Sequence, residues 1–447
     1  MMVDRLKALP LLGMLAIGLA ACANPSNPPS NAPLTTPIRA AAHPGARVQT
    51  GTTAVILALS GGGARSAAFG YGVLSELAER QAPEGNGRTL ADDIAVVSGV
   101  SGGGMLAAYV ALHGPSAIPA FRRDFLDRDP ETSLRTAITP ANLLRAYRGG
   151  VNDLDGLAGW LDDHLYHGAT LGDLQSSGGP RLLLHATDLY NRAPFSFDPA
   201  SFKAICSDFS AFPLSHAVAA SAAVPVLFAP VVLENYNPAC PFKAKGPVAR
   251  PGAAQTEADL RDARARYATA PDLRYLKLLD GGLVDNLATR HLTGSMREPA
   301  PSPLSAEQAR KVTRVMVIVA DASMRIGGDM SRTADGPGIS DVVTASVDAM
   351  IDNASRASLD ALEQETRRWR NRVVRWRCHV AAARDCDKLE VEFVRLSLAD
   401  IRDPGTAARI LQAHNKLSLT AGEVDLLSRL GRQLLAASLR HRRSIAR

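Results

Sequence analysis

The sequence predicts an α/β fold with a mainly parallel central sheet, and three observations lead to that prediction. Two apolar runs, 54–59 and 94–97, are continuous rather than alternating, as in strands buried on both faces of a sheet. Each run passes through glycines into a segment whose apolar residues have helical spacing. Later strand candidates alternate with helical segments, which is typical of a sheet covered by helices on both sides. They span residues 182–186, 226–233, 275–279 and 312–320.

The composition excludes several classes of protein. With 447 residues, 46% of them hydrophobic and 21% charged, the chain is neither disordered, nor collagen-like, nor a small disulfide scaffold. A single short apolar run excludes a membrane protein with several spans. The net charge of +6 is a mild bias toward anionic surfaces such as phospholipid headgroups, and no nucleic-acid partner is predicted.

The N-terminus predicts export. Residues 1–21 combine a short basic start with an apolar run that is too short to span a bilayer, which is typical of a signal peptide. The run Leu19-Ala20-Ala21-Cys22 resembles the lipobox of bacterial lipoproteins. That resemblance implies cleavage before Cys22, acylation of Cys22, and a lipid-anchored protein of the bacterial cell envelope. Ala23 favours the outer membrane, facing the periplasm or the exterior. An ordinary secretory signal with an incidental Cys22 is the alternative.

Cysteine counting agrees with export. Once Cys22 carries lipid, four cysteines remain, and oxidising conditions outside the cytoplasm permit two bridges. The pairs nearest in sequence are Cys206 with Cys240 and Cys378 with Cys386. Three connectivities stay open, as do four free thiols.

The chain divides into four parts by composition. Residues 22–52, rich in Pro, Asn, Ser and Ala, are predicted to form a flexible tether between the signal peptide and the folded part. Residues 53–330 form the main α/β domain, with a polar helical segment at 115–174 that could cap a site. Within it, 241–270 is an insertion, either a mobile loop or a short helix. Residues 331–447 form a mostly helical extension with one strand-like run at 389–394.

The sharpest chemical signal is Gly99-Val100-Ser101-Gly102-Gly103, which stands between a strand and a helix. A serine hydroxyl is a poor nucleophile unless it is held out of the sheet at a helix N-terminus, where partial positive charge favours a developing anion. The glycines Gly99, Gly102 and Gly103 permit the sharp turn that such an elbow needs. Ser101 is therefore the candidate nucleophile.

A second glycine-rich turn, Gly61-Gly62-Gly63-Ala64-Arg65, also joins a strand to a helix. Successive glycines expose backbone N–H groups, which form an oxyanion hole in which one donor stabilises the transition state by about 3–4 kcal/mol. Arg65 adds positive charge beside it. A dinucleotide fingerprint is the competing interpretation, but it would need glycine where the chain has Ser66.

The third signal is Asp280-Gly281-Gly282 at the end of a predicted strand. Glycines after the acid let another loop approach closely. A buried aspartate near Ser101 could accept its proton.

These three motifs together resemble the patatin-like phospholipase family, over about residues 54–320. Two further segments fit: Ala186-Thr187-Asp188-Leu189 and Ser221-Ala222-Ala223-Val224-Pro225. The family usually has glycine where this chain has Ser66. The resemblance implies a three-layer fold, phospholipid or lysophospholipid substrates, and a Ser101–Asp280 dyad that acts through an acyl-enzyme. It also implies an oxyanion hole at residues 61–65. The implied chemistry needs no metal or organic cofactor, and the sequence leaves protein partners unknown.

Two alternatives from other classes stay open. An α/β-hydrolase triad would follow the order serine, acid, histidine, and His291 lies after Asp280 in that order. A non-catalytic envelope lipoprotein could instead bind lipid or a partner on the same scaffold. His164 and His167 lack a visible third ligand, so no metal site is predicted.

Overall fold

The computed structural model describes residues 27–36 and 51–440, except positions 84, 86, 136, 138, 243–254, 325–333, 335, 337, 414 and 415. The predicted signal peptide and Cys22 lie outside the described residues. In the described part of the chain, the strands are β1 (Thr53–Leu59), β2 (Ile94–Gly99), β3 (Gly150–Asn152), β4 (Arg181–Asp188), β5 (Ala193–Ser196), β6 (Val226–Phe228), β7 (Val231–Glu234), β8 (Tyr275–Leu279), β9 (Arg314–Asp321) and β10 (Glu390–Ser397).

Helices surround these strands. Over the same described residues, the α-helices are α1 (Gly63–Glu79), α2 (Ser101–His113), α3 (Ile118–Phe121), α4 (Pro140–Tyr147), α5 (Leu154–Leu161), α6 (Pro199–Ala204), α7 (Leu214–Ser221), α8 (Gln255–Thr269), α9 (Gly282–Asp285), α10 (Arg290–Arg297), α11 (Ala306–Lys311), α12 (Ile339–His379), α13 (Pro404–Gln412) and α14 (Ala421–Arg440). Short 3-10 or π turns lie at Pro115–Ala117, Arg122–Leu126, Pro130–Ser133, Asp162–Tyr166, Asp173–Gln175, Asn237–Ala239 and Leu398–Asp400. None of the helices in the described ranges is both long and apolar enough to cross a bilayer.

The central sheet has the order β10-β9-β1-β2-β4-β8-β7, with β5 beside β4. The strands β10, β9, β1, β2 and β4 run parallel, whereas β8 is antiparallel to both β4 and β7. The prediction of a mainly parallel sheet is therefore confirmed. A separate pair, β3 with β6, is also parallel.

The middle strand β1 separates two apolar cores. All seven of its residues are buried, and because successive side chains point to opposite faces, they divide between the cores. Val55, Leu57 and Leu59 face α1 and α2 in one core. Ile56 and its neighbours 54 and 58 join the apolar side of α12 in the other. This arrangement is the predicted three-layer fold.

The region after residue 330 is part of the same fold rather than an extension. The strand β10 pairs with β9 along its whole length, from Glu390 opposite Arg314 to Ser397 opposite Asp321. The last helix, α14, packs on α1. The predicted C-terminal region is mostly helical, as expected, and its β10 and α14 complete the edge and one layer of the main domain.

Glycines allow the close approach of α14 to α1. A Cβ atom on Gly72 of α1 would lie 2.0 Å from the Ser428 carbonyl oxygen. A Cβ atom on Gly431 of α14 would lie 2.3 Å from the Phe69 carbonyl oxygen. The two backbones therefore touch where they cross.

The predicted flexible tether is wrong for residues 27–36, which lie against β7. The side chain of Asn31 donates to the Glu234 carbonyl oxygen at 2.9 Å and accepts from the Glu234 amide at 2.8 Å. The Ser30 amide donates to the Val232 carbonyl oxygen at 3.0 Å. The Leu34 side chain is buried against the disulfide formed by Cys206 and Cys240. Polar composition indicated solvation here, but the asparagines satisfy the exposed backbone of an edge strand instead.

The cysteines form the two pairs nearest in sequence, which is one of the three connectivities left open. Disulfides join Cys206 to Cys240 and Cys378 to Cys386. The first lies under the N-terminal segment, and the second ties the end of α12 to the turn before β10.

Three further predictions agree with the structure only in part. The single strand predicted at 226–233 is two strands, β6 and β7, which belong to different sheets. The predicted insertion contains α8, whose Ala263 and Tyr267 are buried, so the helical alternative holds there; residues 243–254 lie outside the described part. In the predicted cap segment, α3 and α5 bury Phe121 and Leu157 in the main core.

Candidate active site

Ser101 stands at a sharp turn between β2 and α2. Its φ of 53° lies in the left-handed region, which a non-glycine residue adopts only under constraint, and such strain clusters at functional sites. A Cβ atom on Gly102 would lie 1.9 Å from the Gly63 carbonyl oxygen, so only glycine fits there. Gly99 and Gly103 border the same turn. The predicted elbow is present, with the helix beginning at the serine itself.

Asp280 lies near Ser101 although β8, the strand that precedes Asp280, is not parallel to β2. The strand β4 continues past Leu184, the partner of Gly99 in β2, as far as Asp188. The antiparallel strand β8 pairs with this overhang, Leu279 opposite Thr187, and so its carboxyl end stops beside the end of β2. Asp280 and Ser101 therefore lie at the same edge of the sheet.

The carboxylate of Asp280 is held on several sides. The Gly282 amide donates to its Oδ1 at 2.7 Å, and the nearby Ser101 hydroxyl favours the ionised form and lowers the pKa of the carboxylate. The Asp280 amide donates to the Ala223 carbonyl oxygen at 2.8 Å. Gly281 lies where a Cβ atom would be 2.6 Å from the His185 carbonyl oxygen, so the turn packs directly on β4.

Burial changes the pKa of the Asp280 carboxyl group. It raises the pKa of Asp280 from 3.8 to about 6, while the hydrogen bonds from Gly282 and Ser101 favour the carboxylate and limit that rise. Asp280 is 8% exposed and Ser101 4%. A carboxylate with this pKa is ionised at neutral pH, yet is a better proton acceptor than an ordinary aspartate.

The glycine-rich turn lies beside Ser101, but only part of it can serve as an oxyanion hole. A Cβ atom on Gly61 would be 3.5 Å from the Ser101 Cβ, which places the turn at the nucleophile. The amide of Gly61 already donates to the Asn286 carbonyl oxygen at 2.8 Å, and that of Ala64 to the Lys416 carbonyl oxygen at 2.9 Å. The prediction that these two amides are oxyanion donors is therefore wrong, because both anchor the turn.

The amides of Gly62 and Gly63 are left as the donors. Within the described ranges, neither has a hydrogen-bond acceptor. Gly62 has a φ of 128° and Gly63 a φ of 62°, so the turn takes up backbone conformations that favour glycine. Two adjacent amides that bond no described residue and lie beside a serine fit the developing negative oxygen of a tetrahedral intermediate.

Arg65 and Ser66 support this turn. The buried Arg65 folds back, so that its Nη2 is 3.1 Å from a Cβ placed on Gly62. Ser66, which stands where the resemblance expects glycine, donates its hydroxyl to the Gly63 carbonyl oxygen at 2.9 Å. The departure from the family pattern is thus accommodated inside the first turn of α1.

Comparison with known proteins assigns the family. A sequence model of patatin-like phospholipases matches residues 57–293, more than half of the chain. The chain belongs to the patatin-like phospholipase family. The description of that family names phospholipases. No curated protein matches the chain.

Among solved structures, the human GIVD cytosolic phospholipase A2 is similar, with 12% sequence identity and a TM-score of 0.37. The match covers 92% of this chain and 64% of that one, so the chain spans less than two thirds of that protein's length.

The histidine of the triad alternative contacts a different carboxylate. His291 lies 3.7 Å from the Asp198 carboxylate, and burial lowers its pKa to about 3. The side chain that lowers the pKa of Asp280 is that of Ser101. The contacts of His291 therefore give no support to the triad alternative.

Three residues that hold the patatin site together were missed by sequence reasoning. The Ser221 hydroxyl accepts from the Ser101 amide at 3.1 Å, and the Ser221 carbonyl oxygen accepts from the Gly281 amide at 3.1 Å. Ser221 lies in a segment that carried the family resemblance, so a signal existed. Asn286 and Lys416 act through backbone carbonyl groups, which any residue supplies, and Lys416 lies beyond the family match.

Proposed function

We propose that this patatin-like protein is a serine hydrolase that cleaves acyl esters of phospholipids or lysophospholipids through a Ser101–Asp280 dyad. The observation that carries the proposal is the closeness of the Ser101 hydroxyl, which lowers the pKa of the buried Asp280, to two amides that have no acceptor among the described residues. Family membership supports the lipid class of the substrate.

The mechanism follows from the positions of these groups. The Ser101 Oγ attacks the ester carbonyl carbon while Asp280 takes the hydroxyl proton. The amides of Gly62 and Gly63 donate to the oxygen that becomes negative, and the N-terminus of α2 adds favourable potential. Collapse of this intermediate breaks the ester bond, and Asp280 returns the proton to the departing alcohol oxygen. An acyl group then remains on Ser101.

The second half of the reaction releases the fatty acid. A water molecule attacks the acyl-enzyme, Asp280 takes one proton from it, and the same oxyanion donors act again. Breaking the acyl–Oγ bond returns the proton to Ser101. The raised pKa of Asp280 supports both halves, because a stronger base makes each proton transfer less unfavourable.

We infer an envelope location from separate features. The lipobox-like run ending at Cys22 supports acylation and anchoring, and the two disulfides support an oxidising compartment. Mass spectrometry of the protein purified from a bacterial membrane tests this inference. Diacylglyceryl and acyl groups on a new N-terminal Cys22 are expected, and an unmodified Cys22 inside a longer chain would contradict it.

Lipid profiling tests the proposed reaction. Wild-type protein should release fatty acid from phospholipid or lysophospholipid vesicles, and Ser101→Ala should lower that rate at least about 10³-fold with unchanged thermal unfolding. The position of the released chain identifies the ester bond that is cut. If folded wild-type protein releases nothing and a fluorophosphonate does not label it, the non-catalytic lipoprotein is the correct alternative.

A further inference from the structure

An exposed apolar patch borders the active site. It consists of Leu143 and Tyr147 on α4 and of Val224 and Val226 beside and within β6, and it is called the apolar lip below. Tyr147 is 90% exposed and Val226 62%. The strand β3 joins the two parts, since Gly150, just after α4, pairs with Val226. Clustered large apolar side chains in water indicate an interaction surface.

The lip and the catalytic groups share one backbone segment. The segment begins at Ser221, whose hydroxyl accepts from the Ser101 amide, and passes Ala223, whose carbonyl oxygen accepts from the Asp280 amide. Val224 follows directly. Val226 then has a φ of 73°, a costly conformation for a β-branched residue that nevertheless presents its side chain to solvent. The lip is therefore the border of the site itself.

The charge around the lip suits an anionic lipid surface. The segment 135–152 contains Arg135, Arg145 and Arg148 and no acidic residue, and Asp153, which follows it, pairs with Arg135 at 3.5 Å. From Phe209 to Leu233 it has no Asp, Glu, Lys or Arg at all. An apolar surface with a basic border is the arrangement that binds headgroups and buries side chains at their boundary with the acyl chains.

The N-terminal segment 27–36 begins close to the apolar lip. The Asn27 side chain donates to the carbonyl oxygens of Ala229, at 3.2 Å, and Pro230, at 2.9 Å, and accepts from the Leu154 amide at 2.8 Å. Ala229 is only three residues beyond Val226. Cys22 precedes Asn27 by five residues, which span at most about 18 Å when fully extended. A lipid on Cys22 would therefore hold the bilayer close to the lip.

We infer that the apolar lip is the face that contacts a phospholipid bilayer, and that it admits lipids from that bilayer to Ser101. The inference rests on the proposed function for its substrate, but the contact itself does not require catalysis. The docked segment 27–36 keeps the anchor short, so the domain is held with this face toward the membrane rather than tumbling on a long tether.

Vesicle partitioning of single-site variants tests this face. The protein is the chain from Ala23 onward, which keeps every described residue, in a Ser101→Ala background and with vesicles of phosphatidylcholine and phosphatidylglycerol. Tyr147→Asp should lower the partition coefficient about tenfold, and Leu143→Asp/Tyr147→Asp should lower it further. The matched control is Val380→Asp, which changes another exposed apolar residue, 71% exposed, that directly follows α12 and is not part of the lip. It should stay within about twofold of wild type.

Activity measurements separate this inference from the proposed function. With Ser101 present, Tyr147→Asp should lower hydrolysis of vesicle phospholipid about tenfold and leave hydrolysis of a water-soluble short-chain ester unchanged. If wild-type protein hydrolyses neither substrate, only the proposed function is contradicted. Equal partitioning of Tyr147→Asp and Val380→Asp overturns the inference. A wild-type dimer that Tyr147→Asp converts to monomer also overturns it, because the lip would then bind a second copy of the chain.

Discussion

Asp280 acquires the proton affinity of a general base from burial and not from a partner. A free carboxylate is a weak base, which is why most serine hydrolases use histidine. Here the loss of solvent raises the pKa to about 6, and the two hydrogen bonds from Gly282 and Ser101 keep the group ionised at neutral pH. In the proposed dyad, one side chain and its surroundings take the place of a histidine and its acid.

The pH dependence of hydrolysis follows from this pKa. Only the carboxylate accepts a proton, so kcat/KM should rise with pH, with an inflection near 6, and level off above about pH 7. Initial rates on a soluble ester between pH 4 and 9 measure it. An inflection near pH 4, or one near pH 7 that disappears in His291→Gln, would contradict the assignment of Asp280 as the base.

The oxyanion donors are testable at Gly62. A Cβ atom there would be strained at a φ of 128° and would lie 3.1 Å from the Arg65 guanidinium, so Gly62→Ala should displace the donor amide. We expect kcat/KM to fall about 10²–10³-fold with little change in stability.

Gly85→Ala is the matched control for Gly62→Ala. Gly85 also has a positive φ, of 70°, but a Cβ atom there meets nothing within 4 Å. It should retain full activity. Equal losses in both variants would mean that backbone strain, and not the oxyanion hole, explains the effect.

At the scale of elements, the segment 27–36 behaves as part of the fold. Asn31→Ala removes hydrogen bonds to both backbone groups of Glu234 and to the Ser207 hydroxyl, at 3.0 Å, and leaves buried polar groups unpaired. Urea unfolding should show a loss of roughly 1–3 kcal/mol. Thr35→Ala, an exposed change in the same segment, should cost less than about 0.5 kcal/mol. An unchanged free energy of unfolding in Asn31→Ala would contradict this packing and support the prediction of a flexible tether.

The crossing of α1 and α14 is the second element on which the fold depends. Gly431→Ala would place a Cβ atom 2.3 Å from the Phe69 carbonyl oxygen, and the helices must separate to accept it. The free energy of unfolding should fall by about 2–4 kcal/mol.

Gly422→Ala provides the comparison in the same helix. Nothing lies within 4 Å of a Cβ atom at Gly422, so alanine should leave stability unchanged or raise it by up to about 1 kcal/mol. If both variants unfold at the same urea concentration, the C-terminal helix does not pack on α1.

For the whole molecule, the sequence predicts the middle of the fold well and its edges poorly. The strands β1 and β2 are continuous apolar runs, because burial on both faces leaves no polar position, and the turns after them contain the glycines of the site. The strand-like run at 389–394 is β10, but its place beside β9 in the main sheet was not predicted. The segment 27–36 was misjudged as a tether, because the asparagines that bond an edge strand give it the polar composition of a linker.

The candidate site, too, was predictable only in part. Ser101, Asp280 and the position of the glycine turn were predicted from local motifs, because each needs a particular side chain or a bare backbone. Which amides remain unbonded was not predictable. That depends on carbonyl groups of Asn286 and Lys416, distant in sequence and independent of their side chains.

The central claim is that Ser101 is activated by Asp280 without a histidine, and the rate of covalent labelling by a fluorophosphonate tests it most directly. Intact-mass and peptide spectrometry should locate the label on Ser101 in wild type and in His291→Gln at similar rates, and should show labelling at least about 100-fold slower in Asp280→Asn. Fast labelling of Asp280→Asn together with none in His291→Gln would contradict the account.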